Sequence, residues 1–284
     1  MLERFEGIRV DARSLGGIAT TLSFPEMALT VDMGVCTPAA LRTATLALTH
    51  THADHVSGLH QYLGVRRLFG MAAPRIVAPA EALPALTACI DAMGALQGRP
   101  FEPEVVGVRP GDEVALGGNR LFLRAFPARH SDRIASVGYL VIRRVTRLRE
   151  AYLGLSGPEI ARRKAEPGAD LFEVVDDPLV AVTGDTTAQG LADLDPAARR
   201  ARVLFVEATF VGDRHDLEAA RLGGHVHLDE LVPLLRGVEA RTIVLYHFSQ
   251  TYRVSELVDA VANRVPAELA GRVRLLLPEE GDRL

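Results

Sequence analysis

The stretch that decides both fold and chemistry is THTHADHVSG, residues 49–58, which follows an apolar run, LAL. It holds three histidines and one aspartate within six residues: His50, His52, Asp54 and His55. A neutral imidazole nitrogen is the commonest metal ligand in proteins, and an aspartate oxygen suits a divalent cation. His50 and His52 leave a strand two residues apart and so face one side, whereas Asp54 and His55 stand where a helix begins. The loop therefore predicts two adjacent pairs of metal ligands.

A site for two metal ions needs more protein groups than this loop supplies. Three candidates end other apolar runs: His130 ends LFLRAFPARH, Asp185 ends LVAVTGD and His247 ends TIVLYH. In layered α/β proteins, ligands and catalytic groups collect on the loops at strand ends. Taken singly, the three are equally well explained as a surface histidine, a helix or turn cap and a hydrogen-bonded histidine at the edge of the core. Taken with the loop, they predict one composite site.

The rest of the chain alternates short apolar runs with helical patterns. Runs rich in β-branched residues predict strands at 17–24, 27–34, 45–50, 113–126, 136–144, 179–185, 202–210 and 242–248. Helical spacing of apolar residues predicts helices at about 53–62, 79–93, 228–236 and 254–264. Strands separated by helices predict an α/β layered architecture.

Composition narrows the class of protein. The chain has 284 residues, of which 48% are hydrophobic, enough for a sizeable core. Its net charge of −4 argues against a basic nucleic-acid binder. The two cysteines, Cys36 and Cys89, lie outside any CxxC spacing, which argues against a cysteine zinc site. No apolar run reaches the roughly 18 residues of a membrane span, so we expect no membrane partner and a cytoplasmic location.

One segment departs from this composition. Residues 141–164 hold seven Arg or Lys against two Glu, a local charge of +5. Gly154, Gly157 and Pro158 within it are typical of a surface loop or a helical hairpin. From composition alone, a solvated charged face and a binding surface explain the segment equally well.

The order of the motifs resembles a known family. THTHADHVSG, a later histidine, GDT and HFS are similar to the metallo-β-lactamase superfamily and, within it, to the short form of ribonuclease Z, the tRNA 3′-end endonuclease. VDMGVC, SVGYLV, LSGPEI, AVTGDTT, VEATF, GGHVHLDEL and LYHFSQTY follow the order of that family. The HxHxDH box marks only the superfamily, whereas EATF, GHxH and HFSxxY are more particular to ribonuclease Z. The resemblance implies one domain over residues 1–284, with an αββα sandwich fold and the metals at one edge of the two sheets.

The resemblance also implies how the ligands pair around two zinc ions, with manganese as the alternative metal. His50, His52 and His130 would bind one ion, Asp54, His55 and His247 would bind the other, and Asp185 would bridge both. Asp54 would also orient the attacking water.

Glu207 in VEATF and His225 in GGHVHLDEL match a catalytic pair of the family. In that pair the histidine protonates the leaving oxygen and the glutamate orients the histidine. A carboxylate on one ring nitrogen fixes the tautomer and raises the basicity of the other nitrogen. His227 shares the loop, so the choice of His225 depends on the match to the family. The resemblance implies no role for His60 and His215.

The family inserts an arm before the GDT motif that grips the tRNA elbow, and here the arm covers about 143–175. The RNA contacts that this implies are Arg143, Arg144, Arg147, Arg149, Arg162, Arg163 and Lys164. Thr251 departs from the family, which commonly has Arg there, and this puts a phosphate or structural contact in doubt. The interval between His130 and GY is also about two residues longer than usual.

The resemblance implies hydrolysis of the phosphodiester 3′ of the discriminator nucleotide in precursor tRNA, by a homodimer. The alternative is a small-molecule phosphodiesterase of the same superfamily, which the acidic net charge and Thr251 favour. A lactonase or thioesterase fits less well, because such relatives generally lack GHxH and HFSxxY. A non-catalytic RNA-binding protein also fits less well, because binding alone does not require five histidines and two aspartates together.

Overall fold

Two mixed β-sheets lie face to face in the computed structural model, which describes residues 2–117 and 120–279. Within those residues each sheet has seven strands. The first contains β1 (Leu2–Phe5), β2 (Ile8–Leu15), β3 (Ala19–Phe24), β4 (Leu29–Val31), β5 (Thr45–Ala47), β6 (Arg75–Pro79) and β7 (Glu104–Val108). The second contains β8 (Glu113–Ala115), β9 (Leu121–Pro127), β10 (Val137–Leu148), β11 (Phe172–Val182), β12 (Val203–Glu207), β13 (Thr242–Tyr246) and β14 (Val273–Leu275).

The two sheets repeat one pattern of strand pairing. Strands β1 to β4 pair antiparallel and β4 to β7 pair parallel. Likewise β8 to β11 pair antiparallel and β11 to β14 pair parallel. The carboxyl ends of parallel neighbours lie at the same edge of a sheet, where ligand sites form. The parallel half of each sheet therefore delivers its loops to one edge.

Helices cover the outer face of each sheet. The described helices are α1 (Pro38–Arg42), α2 (Ala53–Val56), α3 (Leu59–Leu68), α4 (Leu83–Leu96), α5 (Gly157–Lys164), α6 (Ala188–Ala192), α7 (Pro196–Arg199), α8 (Leu217–Leu222), α9 (Leu228–Leu235), α10 (Val254–Arg264) and α11 (Ala267–Ala270). Apolar residues of α1, α3 and α4 pack on the first sheet, and those of α6, α7, α9, α10 and α11 pack on the second. No helix in the described ranges has the length and apolar character needed to cross a bilayer.

The core has three layers: one lies between the two sheets, and one lies between each sheet and its helices. Strand β13 contributes to two of them. Ile243 and Leu245 pack outward among the helices of the second sheet. Val244 and Tyr246 point inward and pack between the two sheets, with Phe205 and Tyr139. A strand buried on both faces needs apolar residues at successive positions, which explains the continuous run TIVLY. The predicted αββα sandwich is confirmed.

The strands predicted from the sequence all occur, with different ends. The run 113–126 contains two described strands, β8 and β9, with residues 118–119 outside the described ranges, and the predicted helix at 53–62 is two helices. The break falls at Gly58, whose N–H donates to the carbonyl of Met33 at 2.7 Å instead of continuing helix α2. Five of the described strands were not predicted from the sequence: β1, β2, β6, β7 and β14.

The longest strands, β10 and β11, form a hairpin that contains the segment predicted to be an arm. Its connection includes α5, which begins with a capping box: Glu159 accepts hydrogen bonds from the backbone N–H and hydroxyl of Ser156. Residues 141–177 hold seven basic and seven acidic residues, because the connection and the returning strand carry five acids that the count over 141–164 omits. The +5 segment therefore belongs to a hairpin with no net charge.

Candidate metal centre

The predicted ligands converge at the edge of the sheets, each carried there by the end of a strand or the start of a helix. His50 and His52 follow β5, and Asp54 and His55 lie on α2. His130 follows β9, Asp185 follows β11 and His247 follows β13. The seven residues form two overlapping groups around Asp185, and the ligand atoms of each group lie within 4.8 Å of one another.

The first group contains His50, His52, His130 and Asp185. The Nδ1 atom of His52 lies 3.0 Å from the Nε2 atoms of both His50 and His130. Asp185 Oδ2 lies 3.6 Å from His50 Nε2 and 3.9 Å from His130 Nε2. His52 is the most exposed of the four, and the other three are buried.

The second group contains Asp54, His55, His247 and Asp185. The Nε2 atoms of His55 and His247 lie 3.3 Å apart, and Asp54 Oδ2 lies 3.2 Å from His247 Nε2. Asp185 uses both oxygens here: Oδ2 lies 3.4 Å from His55 Nε2, and Oδ1 lies 3.4 Å from His247 Nε2. Asp185 thus contacts both groups.

These residues fit a divalent metal. Ligand atoms about 2.0–2.1 Å from a tetrahedral zinc are about 3.3 Å apart, close to the spacings within both groups. Asp185 Oδ1 is buried and accepts no hydrogen bond from the described residues, so it has a lone pair for a cation. Burial and the neighbouring His55 hold the pKa of His50 well below its ordinary value, which keeps the ring neutral for ligation.

Asp32 orients His55 through the ring nitrogen that faces away from the other candidate ligands. This role of Asp32 was not predicted from the sequence. Its Oδ2 lies 2.8 Å from His55 Nδ1. Asp32 also accepts from the backbone N–H of Thr49 at 2.8 Å and from its hydroxyl at 2.9 Å. A carboxylate on the far nitrogen of a ligating histidine fixes its tautomer. The signal in the sequence was an aspartate inside the apolar run MALTVDMG.

Two glycines allow the loops to approach the centre. Gly184 has φ +64°, and a Cβ there would lie 2.8 Å from the Cβ of Thr49. Gly224 has φ +74°, and a Cβ there would lie 2.0 Å from the carbonyl oxygen of His130. His130 Nδ1 donates to the Gly224 carbonyl at 2.8 Å. This hydrogen bond directs His130 Nε2 toward the other candidate ligands of the first group.

Glu207 and His225 lie beside the second group as a hydrogen-bonded pair. Glu207 Oε1 lies 3.1 Å from His225 Nδ1. Glu207 also accepts from the N–H of Thr186 at 2.9 Å and from the hydroxyl of Thr209 at 2.5 Å. Glu207, His225 and His247 could also hold a metal by distance alone. Because other donors already occupy the Glu207 oxygens, its arrangement favours orienting His225 over ligation.

The two histidines of the GHxH motif, His225 and His227, have different surroundings. His227 is buried and accepts from the N–H of Asp229 at 3.2 Å, so it caps helix α9. His225 faces the metal cluster and is partly exposed. Burial lowers the pKa of His225, but the Glu207 carboxylate outweighs it and raises this pKa to about 9.

A groove of about 980 Å³ opens beside the candidate metal ligands, with His130 and Gly224 in its wall. Three arginines line it: Arg129, Arg133 and Arg221. Arg129 pairs with Asp193 at 2.9 Å, and Arg221 pairs with Glu230. Arg133 forms no ion pair with another described residue. The groove therefore offers basic groups next to the candidate centre.

Comparison with known proteins decides the family. Residues 37–248 match the model of the beta-lactamase superfamily domain. Over 271 residues the chain is 35% identical to tRNase Z TRZ1 of Arabidopsis thaliana. The aligned region covers 95% of each protein. The chain belongs to the tRNase Z family of the beta-lactamase superfamily.

Two solved structures share the fold of this chain. The short form of human tRNase Z, ELAC1, superimposes with a TM-score of 0.59 and 18% identity, over 95% of each chain. The metallo-beta-lactamase fold protein YhfI of Bacillus subtilis superimposes with a TM-score of 0.61 and 14% identity, over 94% of this chain and 95% of that chain. At these identities the two structures support the fold alone.

The basic residues predicted to contact RNA lie on the hairpin, apart from the metal centre of this tRNase Z family member. Three are paired with carboxylates of the hairpin: Arg143 with Asp177, Arg144 with Asp176 and Arg149 with Asp170. The remaining four form no ion pair with another described residue: Arg147, Arg162, Arg163 and Lys164. Arg163 and Lys164 instead lie over the rings of Tyr152 and Phe172.

Proposed function

We propose that the protein is a metal-dependent endoribonuclease that hydrolyses the phosphodiester 3′ of the discriminator nucleotide in precursor tRNA. The observation that carries this proposal is the convergence of seven metal-ligand side chains with the Glu207–His225 pair in one cluster. The relative TRZ1, which is 35% identical over 95% of the chain, is named a tRNase Z. This name supports tRNA as the substrate class.

Two zinc ions are the proposed metals, with manganese as the alternative. His50, His52 and His130 would hold the first, Asp54, His55 and His247 the second, and Asp185 both. A bound metal pair lowers the pKa of coordinated water and stabilises charge on phosphoryl oxygens. Asp54 Oδ2 accepts from the Gly17 N–H at 2.9 Å, and the Asp54 side chain is 12% exposed. Asp54 can therefore also accept a hydrogen bond from the attacking water.

His225 is the proposed general acid. Glu207 holds its Nδ1 atom, which leaves the proton on Nε2 for transfer, and the Glu207 carboxylate raises the pKa of His225, which favours the protonated ring. The acceptor is the 3′ oxygen of the discriminator nucleotide. The products are a 3′-hydroxyl on the tRNA and a 5′-phosphate on the trailer.

The RNA strand is proposed to follow the groove beside His130, where Arg133 is the arginine without a carboxylate partner among the described residues. The folded body of the tRNA is proposed to contact the hairpin at 143–175. Of its seven predicted contacts, Arg147, Arg162, Arg163 and Lys164 have no carboxylate partner among the described residues, whereas Arg143, Arg144 and Arg149 are held by carboxylates. Phosphate contacts of this kind weaken as salt concentration rises.

Cleavage mapping tests the proposal directly. Purified protein with zinc or manganese is expected to cut a precursor tRNA once, next to the discriminator nucleotide. His225→Ala is expected to slow the cut while the metal content stays unchanged. Intact precursor after incubation with metal-loaded protein would overturn the proposal.

A small-molecule phosphodiesterase is the second candidate, and the hairpin without net charge favours it. Metal-loaded protein that hydrolyses bis(p-nitrophenyl) phosphate yet leaves precursor tRNA intact would establish it. Protein that carries no bound metal after mild purification would favour a non-catalytic RNA-binding role.

The homodimer and the cytoplasmic location stay predictions. Sedimentation equilibrium checks the first, and cell fractionation checks the second.

A further inference from the structure

An aromatic cluster lies beside His225, outside the metal centre. The ring of Phe210 lies 4.7 Å from that of His215, at an interplanar angle of 46°. The ring of His215 lies 6.0 Å from that of Tyr252, edge to face. On its other side, Phe210 lies 6.1 Å from the ring of His225. The rings therefore form a continuous row that begins at His225 and ends at the buried Tyr252.

The position of His215 is set from both sides of its loop. On one side Arg214 pairs with Glu256 at 2.9 Å and lies over the ring of Tyr252 at 5.4 Å. On the other side Asp216 accepts from the N–H of Ala219 at 2.7 Å and caps helix α8. The loop thus presents the His215 ring against Phe210.

Thr251 completes the arrangement. His215 Nε2 lies 3.2 Å from the Thr251 hydroxyl oxygen, which lies 3.0 Å from the hydroxyl oxygen of Ser249. Thr251 stands where the resemblance places an arginine, so a hydroxyl that holds a ring replaces a long cation.

The exposure of the cluster fits a ligand. Tyr252 is buried, whereas Phe210 and His215 are half-buried at the surface next to His225. Single-stranded RNA is bound largely by stacking its bases on aromatic side chains, histidine included. A half-buried pair of rings beside the proposed acid is therefore a surface on which a base can stack.

We propose that Phe210 and His215 stack the base of the discriminator nucleotide, an inference that rests on the proposed function. His225 gives its proton to the 3′ oxygen of that nucleotide, so the nucleotide lies on the side of His225. The centroids of His225 and His215 are at most about 11 Å apart, the sum of their distances to Phe210. Phe210 itself lies 6.1 Å from the His225 ring, which is less than the rise of two stacked nucleotides at about 3.4 Å each, so Phe210 is within reach of the base next to the cut.

The test compares two substrates with three proteins. The substrates are a precursor tRNA and the same RNA with an abasic discriminator nucleotide, and the proteins are wild type, His215→Ala and His215→Phe. His60→Ala is the matched control, because His60 is a half-buried histidine beside Phe101 on another face. We expect His215→Ala to lower kcat/KM on the normal RNA about tenfold and His215→Phe to restore most of it.

The abasic substrate isolates stacking from a structural effect. Wild type is expected to lose about tenfold in kcat/KM on it, and His215→Ala is expected to lose nothing further. An equal effect of His215→Ala on both substrates, or no effect on either, would overturn the stacking proposal while the proposed function stands. Failure of the wild type to cut the normal RNA would overturn both.

Discussion

Asp32 and His55 form a buried carboxylate–imidazole pair behind the candidate metal centre, with Asp32 Oδ2 2.8 Å from His55 Nδ1. Asp32 has φ +59°, in the left-handed region that costs a non-glycine residue about 1–3 kcal/mol. His247, a proposed ligand, has φ +63°. Backbone strain therefore lies at the centre itself, where the contacts of the folded chain offset it.

The first prediction concerns this pair. Asp32→Asn is expected to weaken zinc binding about 10- to 100-fold, because the amide no longer holds His55 in the ligating tautomer. Competition with a chelator measures the zinc affinity. Asp112→Asn, in an exposed turn, is the control and is expected to bind zinc like the wild type. Equal zinc affinity of Asp32→Asn and wild type would show that Asp32 serves the fold alone.

The second prediction separates the two ligand groups. Asp185 contacts both, whereas His130 contacts only the first. His130→Ala is expected to keep about one of two metals per chain, and Asp185→Ala to lose both. Mass spectrometry of protein in volatile buffer counts the metals. Chelation of the wild type is expected to lower its Tm, since metal that binds only the folded chain stabilises it. Equal metal content in the two variants would contradict a bridging Asp185.

The third prediction compares two substrates, one whose leaving group needs a proton and one whose leaving group does not. Glu207→Gln weakens the orientation of His225, and RNA cleavage is expected to fall about 100-fold or more. Hydrolysis of bis(p-nitrophenyl) phosphate is expected to fall much less, because its nitrophenolate leaves without a proton. Steady-state rates on both substrates make the comparison. Equal losses on the two substrates would mean that Glu207 supports the centre generally, and not through the acid.

The fourth prediction concerns the base of the hairpin. Asp176 accepts from Arg144 at 2.8 Å and from Arg124 at 2.8 Å. The Arg144 guanidinium lowers the pKa of Asp176 below its ordinary value of 3.8. A depressed pKa contributes stability that is present above the unfolded pKa and is lost as pH falls through the folded one.

Asp176→Asn is therefore expected to lower the Tm at pH 7, by an amount that corresponds to about 1 kcal/mol or less. The Tm difference from wild type is expected to shrink below pH 3.8. Scanning calorimetry across this range checks both expectations. Asp91→Asn, exposed on α4, is the control. A Tm difference that stays constant down to pH 3 would show that the ion pairs contribute nothing.

The candidate ligands could be found from the sequence because each stands near the end of an apolar run or at the start of a helix. The run TIVLY stops at Tyr246, so His247 is at the edge of the sheets whatever the strand order. Contacts between distant residues could not be found in this way. Arg143 and Asp177 are 34 positions apart, and only the register of β10 against β11 pairs them. The positive segment was therefore counted without the acids that neutralise it.

The missed strand β2 shows another limit. In IRVDARSL, Val10 and Ala12 are buried in the core between the sheets, while Arg9, Asp11 and Arg13 alternate with them. The period of two was present, but the charged residues concealed it from a search for apolar runs. Asp32 was missed for the opposite reason. It lies inside an apolar run, and its role appears only once His55 and Thr49 are brought to it by the fold.

The last prediction concerns Arg133 in the groove beside His130. If Arg133 binds one phosphate of the RNA, Arg133→Ala weakens binding by a similar factor for different tRNAs. The slope of log affinity against log salt concentration is then expected to fall by about 1. Filter binding with a precursor tRNA, with His225→Ala added to every protein so that cleavage is slow, gives this slope. Arg236→Ala is the control, because Arg236 is exposed at the end of α9 and pairs with Glu268 at 3.5 Å. An unchanged slope for Arg133→Ala would place the RNA strand outside the groove, because a phosphate contact cannot be lost without changing the number of counterions released.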